Sequence, residues 1–122
     1  MDRREFAAEF AGILRLQRDH EYLAYAPSGR REYEQKLRSC SELFAYLVYR
    51  KTGIPVRVLP GIVPIGEVRD PTFSAGKALA ARVAKRARAS AAKAEGPERE
   101  RLEECALLWE RAAAKLAEPE QG

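Results

Sequence analysis

At 122 residues the chain has room for one domain, residues 1–122, built on a single core. A chain of this size buries roughly two thirds of the surface that it exposes when unfolded, so the core needs no metal or disulfide to hold it. An apolar share of 46% beside 33% charge excludes a disordered chain.

The longest apolar run, Leu43 to Tyr49, ends at Arg50-Lys51. It falls far short of the roughly 20 residues that span a bilayer. Met1-Asp2-Arg3-Arg4-Glu5 leads into no apolar signal segment. The expectation is therefore a cytoplasmic protein without membrane contact. Two cysteines are too few for a disulfide framework. Both Cys40 and Cys105 fall on apolar helix stripes, where they read as buried thiols.

In chain order, Asp2 with Glu5 three residues on opens a first helix. Phe6, Phe10, Ile13, Leu14 and Gln17 recur at helical spacing, and the pattern can run through Tyr22 and Leu23 until Pro27-Ser28-Gly29 stops it. The second helix is predicted from Arg30 to Thr52, with Gly53 as its C-cap and Pro55 beyond. Tyr33, Leu37, Cys40, Phe44, Leu47 and Val48 form its stripe. Leu43, Tyr46 and Tyr49 widen the apolar surface beyond one seam, which suits a central helix or one that meets a partner.

Residues 54–69 are β-branched and rich in Pro and Gly. Val56 and Val58 alternate with charge as in a strand, but Pro60 and Pro64 cannot donate to a ladder. An extended loop or one irregular β-ribbon is expected, crossing between two helical pairs. Asp70-Pro71 reads as a cap and first helical residue, so a third helix is predicted from Pro71 to about Ala94. Glu95-Gly96-Pro97 breaks the pattern, and a fourth helix follows to Ala117 with Leu102, Cys105, Ala106, Trp109, Ala112, Ala113 and Leu116 inward. So short a linker makes the last two helices an antiparallel hairpin. The tail, about 118–122, is expected to fray. The fold class is thus mainly α, four helices in two pairs.

Charge is distributed unevenly. Between Pro71 and Ala94 lie Lys77, Arg82, Lys85, Arg86, Arg88 and Lys93 and no acid, which leaves 16 basic residues against 18 acidic ones elsewhere. All of the net charge of +4 therefore resides in the third helix. At about 100° per residue the six cations span roughly 0° to 180° around the helix axis, while Phe73, Leu79, Ala80 and Val83 fall at roughly 200° to 320°. If the fourth helix packs on the apolar side, its acids cannot easily cover the basic half. Such a stripe suits phosphates, which repeat every few ångströms along a strand. No Asn or Gln is present on this helix to read adenine, and its alanine-rich face is too weakly apolar for membrane insertion. Tyr22, Tyr25, Tyr46 and Tyr49 are candidates to stack on exposed bases, against the alternative of core positions.

No catalytic motif survives inspection. Ser74-Ala75-Gly76-Lys77 and Lys51-Thr52-Gly53 match two β-lactamase elements, but in reversed order and in too short a chain. Residues 71–78 miss the phosphate-binding loop at both its first glycine and its final hydroxyl. His20, Cys40 and Cys105 lack the paired spacing of a zinc site, so neither a metal nor a cofactor is expected. The leading expectation is a non-enzymatic accessory subunit, a small part of a nucleoprotein complex. It would hold DNA or RNA backbone through Lys77, Arg82, Lys85, Arg86, Arg88 and Lys93. The alternative is an assembly module, with a protein partner or a second copy meeting Leu43, Tyr46, Tyr49 and Trp109.

Overall fold

The computed structural model describes residues 1–120, and the chain is mainly helical. Among those residues it forms four α-helices and no β-strand: α1 Arg3–Asp19, α2 Arg30–Thr52, α3 Phe73–Lys93 and α4 Gly96–Ala117. None is long and apolar enough to cross a membrane.

The start of α1 is fixed by Asp2, whose Oδ1 accepts the Glu5 amide at 2.8 Å. That bond holds the Asp2 carboxyl below its ordinary value. The helix ends sooner than its periodicity predicts. His20 Nδ1 lies 2.9 Å from the Leu16 carbonyl, an acceptor only, so the ring donates to the oxygen that the next helical amide would use. The His20 amide turns instead to Gln17 at 3.3 Å, and a 3-10 turn over Glu21–Tyr25 follows. At the far end of α2, Gly53 adopts φ 76° and its amide reaches the Tyr49 carbonyl at 2.7 Å, the left-handed cap that glycine takes without strain.

The β-ribbon considered for residues 54–69 does not form. Pro55, Pro60 and Pro64 bring no amide to a ladder, and the Arg57 carbonyl accepts the Trp109 indole N–H at 2.8 Å instead of a neighbouring strand. A turn at Gly61, φ 78°, and a 3-10 turn over Ile65–Glu67 carry the segment across the core, with Ile62, Ile65 and Val68 buried as its anchors.

Thr72, not Asp70, caps α3. Its Oγ1 accepts the Ala75 amide at 3.0 Å and donates to Asp70 Oδ2 at 3.2 Å, so Pro71 precedes the helix. Gly96, φ 62°, and Pro97 in the first turn of α4 then reverse the chain. The tail leaves the helix after Ala117 and its next residues meet the start of α1 and the end of α2. Arg3 Nη2 donates to the Glu118 carbonyl at 3.1 Å and Lys51 Nζ meets Glu120 Oε1 at 3.1 Å. Gln121 and Gly122 lie outside the described residues.

An aromatic chain ties the helices together. Phe73 meets Phe6 edge-on at 5.3 Å, Phe10 meets Phe44 at 5.3 Å, and Phe44 stacks on Trp109 at 6.1 Å with an 11° interplanar angle. All but Phe73 are fully buried. Burying each such side chain stabilises the fold by about 1.5–3 kcal/mol. The helix α3 packs on α4 and α1, and α2 packs on α1 and α4. Consequently α2 and α3 sit across the bundle from one another.

Candidate nucleic-acid interface

The orientation of α3 follows from its small residues. Gly76, Leu79, Ala80, Val83, Ala84, Ala87 and Ala91 are buried along one side. Gly76 allows the closest approach, since a Cβ there would stand 2.5 Å from Phe6 Cε1. With that side inward, Arg82, Lys85, Arg86, Arg88 and Lys93 are exposed and Lys77 is half-buried. All six cations thus lie on one elongated surface.

Acids cover this surface more than the sequence suggests. Arg88 donates to Glu110 from Nη2 at 2.5 Å and from Nε at 3.3 Å, a two-point contact reaching from α3 to α4. Those bonds push the Arg88 guanidinium above its ordinary value. Arg82 pairs with Glu67 at the end of the crossing segment. The expectation that the acids of α4 cannot cover the basic half is thus corrected at Glu110, which stands on the flank of α4 beside α3 and reaches Arg88. Glu67 lies in an irregular turn whose position no periodicity reveals. Exposed pairs of this kind are worth ~0–1 kcal/mol, so a phosphate can compete for either arginine. Among the described residues Lys77, Lys85, Arg86 and Lys93 make no ion pair, and the helical rise spreads them over ~24 Å.

The aromatic candidates stand elsewhere. Tyr46 and Tyr49 are exposed on the outer side of α2, with ring centroids 6.4 Å apart and the Arg50 guanidinium 5.9 Å from the Tyr46 ring. Leu43 is exposed on the same helix, and Tyr22 and Tyr25 project from the first 3-10 turn. Trp109 does not belong with them. It is fully buried, stacked on Phe44 and bonded to Arg57, and therefore serves the core and not an outer interface. In its place the structure supplies Pro55, Val56 and Leu59, which with Ala45, Tyr46 and Tyr49 line a groove of about 530 Å³ beside α2.

The residues weighed for chemistry are dispersed. Cys40 and Cys105 are buried free thiols, both pushed above the ordinary value chiefly by burial. His20 is engaged with Leu16. Among the described residues no group of three or more His, Cys, Asp or Glu side chains converges. No protein family matches the chain, and no curated protein or solved structure is significantly similar to it.

Proposed function

We propose that the chain is a non-enzymatic accessory subunit, two helical pairs joined through residues 54–69, which holds nucleic-acid backbone on the outer side of α3. One observation carries the reading: among the described residues the only acid-free helix turns its cations outward, and four of them have no carboxylate partner. Lys and Arg so placed exchange hydration and counterions for phosphate oxygens, and the released counterions supply the driving force. Four such contacts make affinity fall on the order of 10²-fold between 50 and 200 mM salt.

The test is binding of fluorescent DNA and RNA across a salt series, beside a Lys85→Glu, Arg86→Glu, Lys93→Glu variant whose helicity is checked by circular dichroism. These three residues lack ion-pair partners, so reversing them breaks no internal pair. A steep salt slope that flattens in the variant supports the reading. Absence of binding at the lowest salt refutes it.

A second reading rests on a different surface. Leu43, Tyr46 and Tyr49 are 43%, 59% and 46% exposed, and the two tyrosines border the groove beside Pro55 to Leu59. Tyrosine is among the residues that contribute most when a partner buries them. On this reading α2 is an assembly face for a protein partner or a second copy, on the opposite side of the bundle from α3. Light scattering of the wild type and of a Leu43→Ser, Tyr46→Ser variant tests self-association, and an unchanged monomer mass in both removes the second-copy form of it.

A further inference from the structure

The cations of α3 are not spread evenly over its exposed half. At about 100° per residue, Lys77 and Arg88 fall along one edge near 0–20°, and Arg82, Lys93 and Arg86 along the other near 140–180°. Between the two edges the exposed residues are small, Ser74, Ala78, Ala89 and Ala92, and only Lys85 interrupts them. The outer side of α3 is thus two cationic rows with a floor of small residues between, from which Lys85 alone rises.

Single-stranded and double-stranded nucleic acids make different demands on such a surface. A single strand offers one row of phosphates and is held largely by stacking its bases on aromatic rings. No aromatic ring lies on this side of α3: Phe73, its only one, packs edge-on against Phe6 beneath the Arg3 guanidinium. Tyr46 and Tyr49 belong to α2, across the bundle. A duplex offers two rows of phosphates that flank a groove. The major groove of B-form DNA, roughly 12 Å wide, admits one α-helix. Alanines along the floor keep the helix at the slim end of its ~10–12 Å diameter, so that it enters without displacing base pairs. The major groove of A-form RNA is too narrow and deep for this.

We infer that α3 lies in the major groove of B-form duplex DNA, with Lys77 and Arg88 toward one strand's phosphates and Arg82, Arg86 and Lys93 toward the other's. The alanine methyls and the Ser74 hydroxymethyl at the floor make no bidentate contact with base edges. Lys85 is the one floor side chain long enough to reach a guanine, so sequence is read at one position at most. Glu67 and Glu110 act against it by holding one arginine of each row, and a phosphate that enters must displace them. This inference rests on the phosphate-binding reading of α3 given above, and adds to it the form of nucleic acid and the shape of the contact.

The experiment compares three probes of equal phosphate number at low salt, a DNA duplex of about 20 base pairs, a DNA single strand of about 40 nucleotides and an RNA duplex of the same length as the DNA duplex. Two variants accompany the full-length protein. Ala78→Gln with Ala89→Gln raises the floor without changing charge, and glutamine's good helix propensity preserves α3. Glu110→Gln releases Arg88. The expected result is a preference for the DNA duplex of at least about tenfold, lost in the double glutamine variant, and a gain of a few fold on Glu110→Gln from one freed phosphate contact. Equal or tighter binding of the single strand or of the RNA duplex overturns the groove inference while leaving the phosphate reading intact. So does duplex binding indifferent to the raised floor. Failure of all three probes to bind overturns both.

Discussion

Trp109 Nε1 donates to the carbonyl of Arg57 at 2.8 Å, and Cys105 Sγ, one turn earlier on α4, stands 3.5 Å from the same oxygen. A residue of the crossing segment is thereby fixed to the helix that follows α3 in sequence. Replacing Trp109 by Phe keeps most of the stacking on Phe44 but leaves the Arg57 carbonyl with the weak thiol donor alone. The expected loss is about 1–3 kcal/mol, the cost of an unmade bond at a partly buried acceptor together with the vacated ring volume. Urea unfolding of the variant measures it. A loss within about 0.5 kcal/mol, as for an ordinary surface change, would mean that the bond contributes nothing to stability.

Gly76 and Gly12 are both helical glycines and should respond in opposite directions. A Cβ at Gly76 would lie 2.5 Å from Phe6 Cε1 and 3.1 Å from its Cζ, against a ring locked between Phe10 and Phe73. Alanine gains up to about 1 kcal/mol of helix propensity there but incurs an overpacking cost of about 1–3 kcal/mol. A net destabilisation is expected. At Gly12, exposed in the middle of α1, nothing lies within 4 Å of the new methyl. Alanine there should stabilise by about 0.5–1 kcal/mol. Thermal melts of the two variants should shift to opposite sides of the wild type.

The helices were legible because their signals are local. Asp2, Gly53 and the Glu95-Gly96-Pro97 break lie where the structure begins or ends a helix, and the stripes of Phe44 in α2 and Val83 in α3 face the core. Failures came where one side chain outcompeted the pattern, as His20 does at Leu16 and Thr72 does for Asp70. The outward direction of the α3 cations follows from its buried alanines, a periodic feature. Their neutralisation by Glu67 and Glu110 depends on which flank of α3 meets α4 and where an irregular turn docks, and neither is encoded in periodicity. Trp109 sits on a predicted stripe. Whether a stripe faces a core or a partner is decided by the aromatic stack across the bundle, which one helix alone does not reveal.

Thiol chemistry gives a prediction that reads the core directly. Cys40 and Cys105 are 1% and 2% exposed. Burial pushes both thiols above the ordinary value of 9.0, more than the nearby Lys36 and Arg57 pull them down. Only the thiolate attacks a disulfide reagent, so the native protein should react at the rate at which it opens, and both thiols should react at once in denaturant. The same shift sets the sign of the alkaline pH dependence. Well below pH 9 neither state releases a thiol proton and stability is unaffected. Above it the unfolded chain ionises while the folded chain retains its protons, so stability falls as pH rises from 9 toward the folded values. Cys40→Ala should flatten that decline, since it removes one of the two groups, while lowering stability at neutral pH by about 1 kcal/mol through the small cavity it leaves. Prompt labelling of the native protein at pH 8 would contradict the burial on which this rests. It would also make one cysteine a surface-accessible thiol.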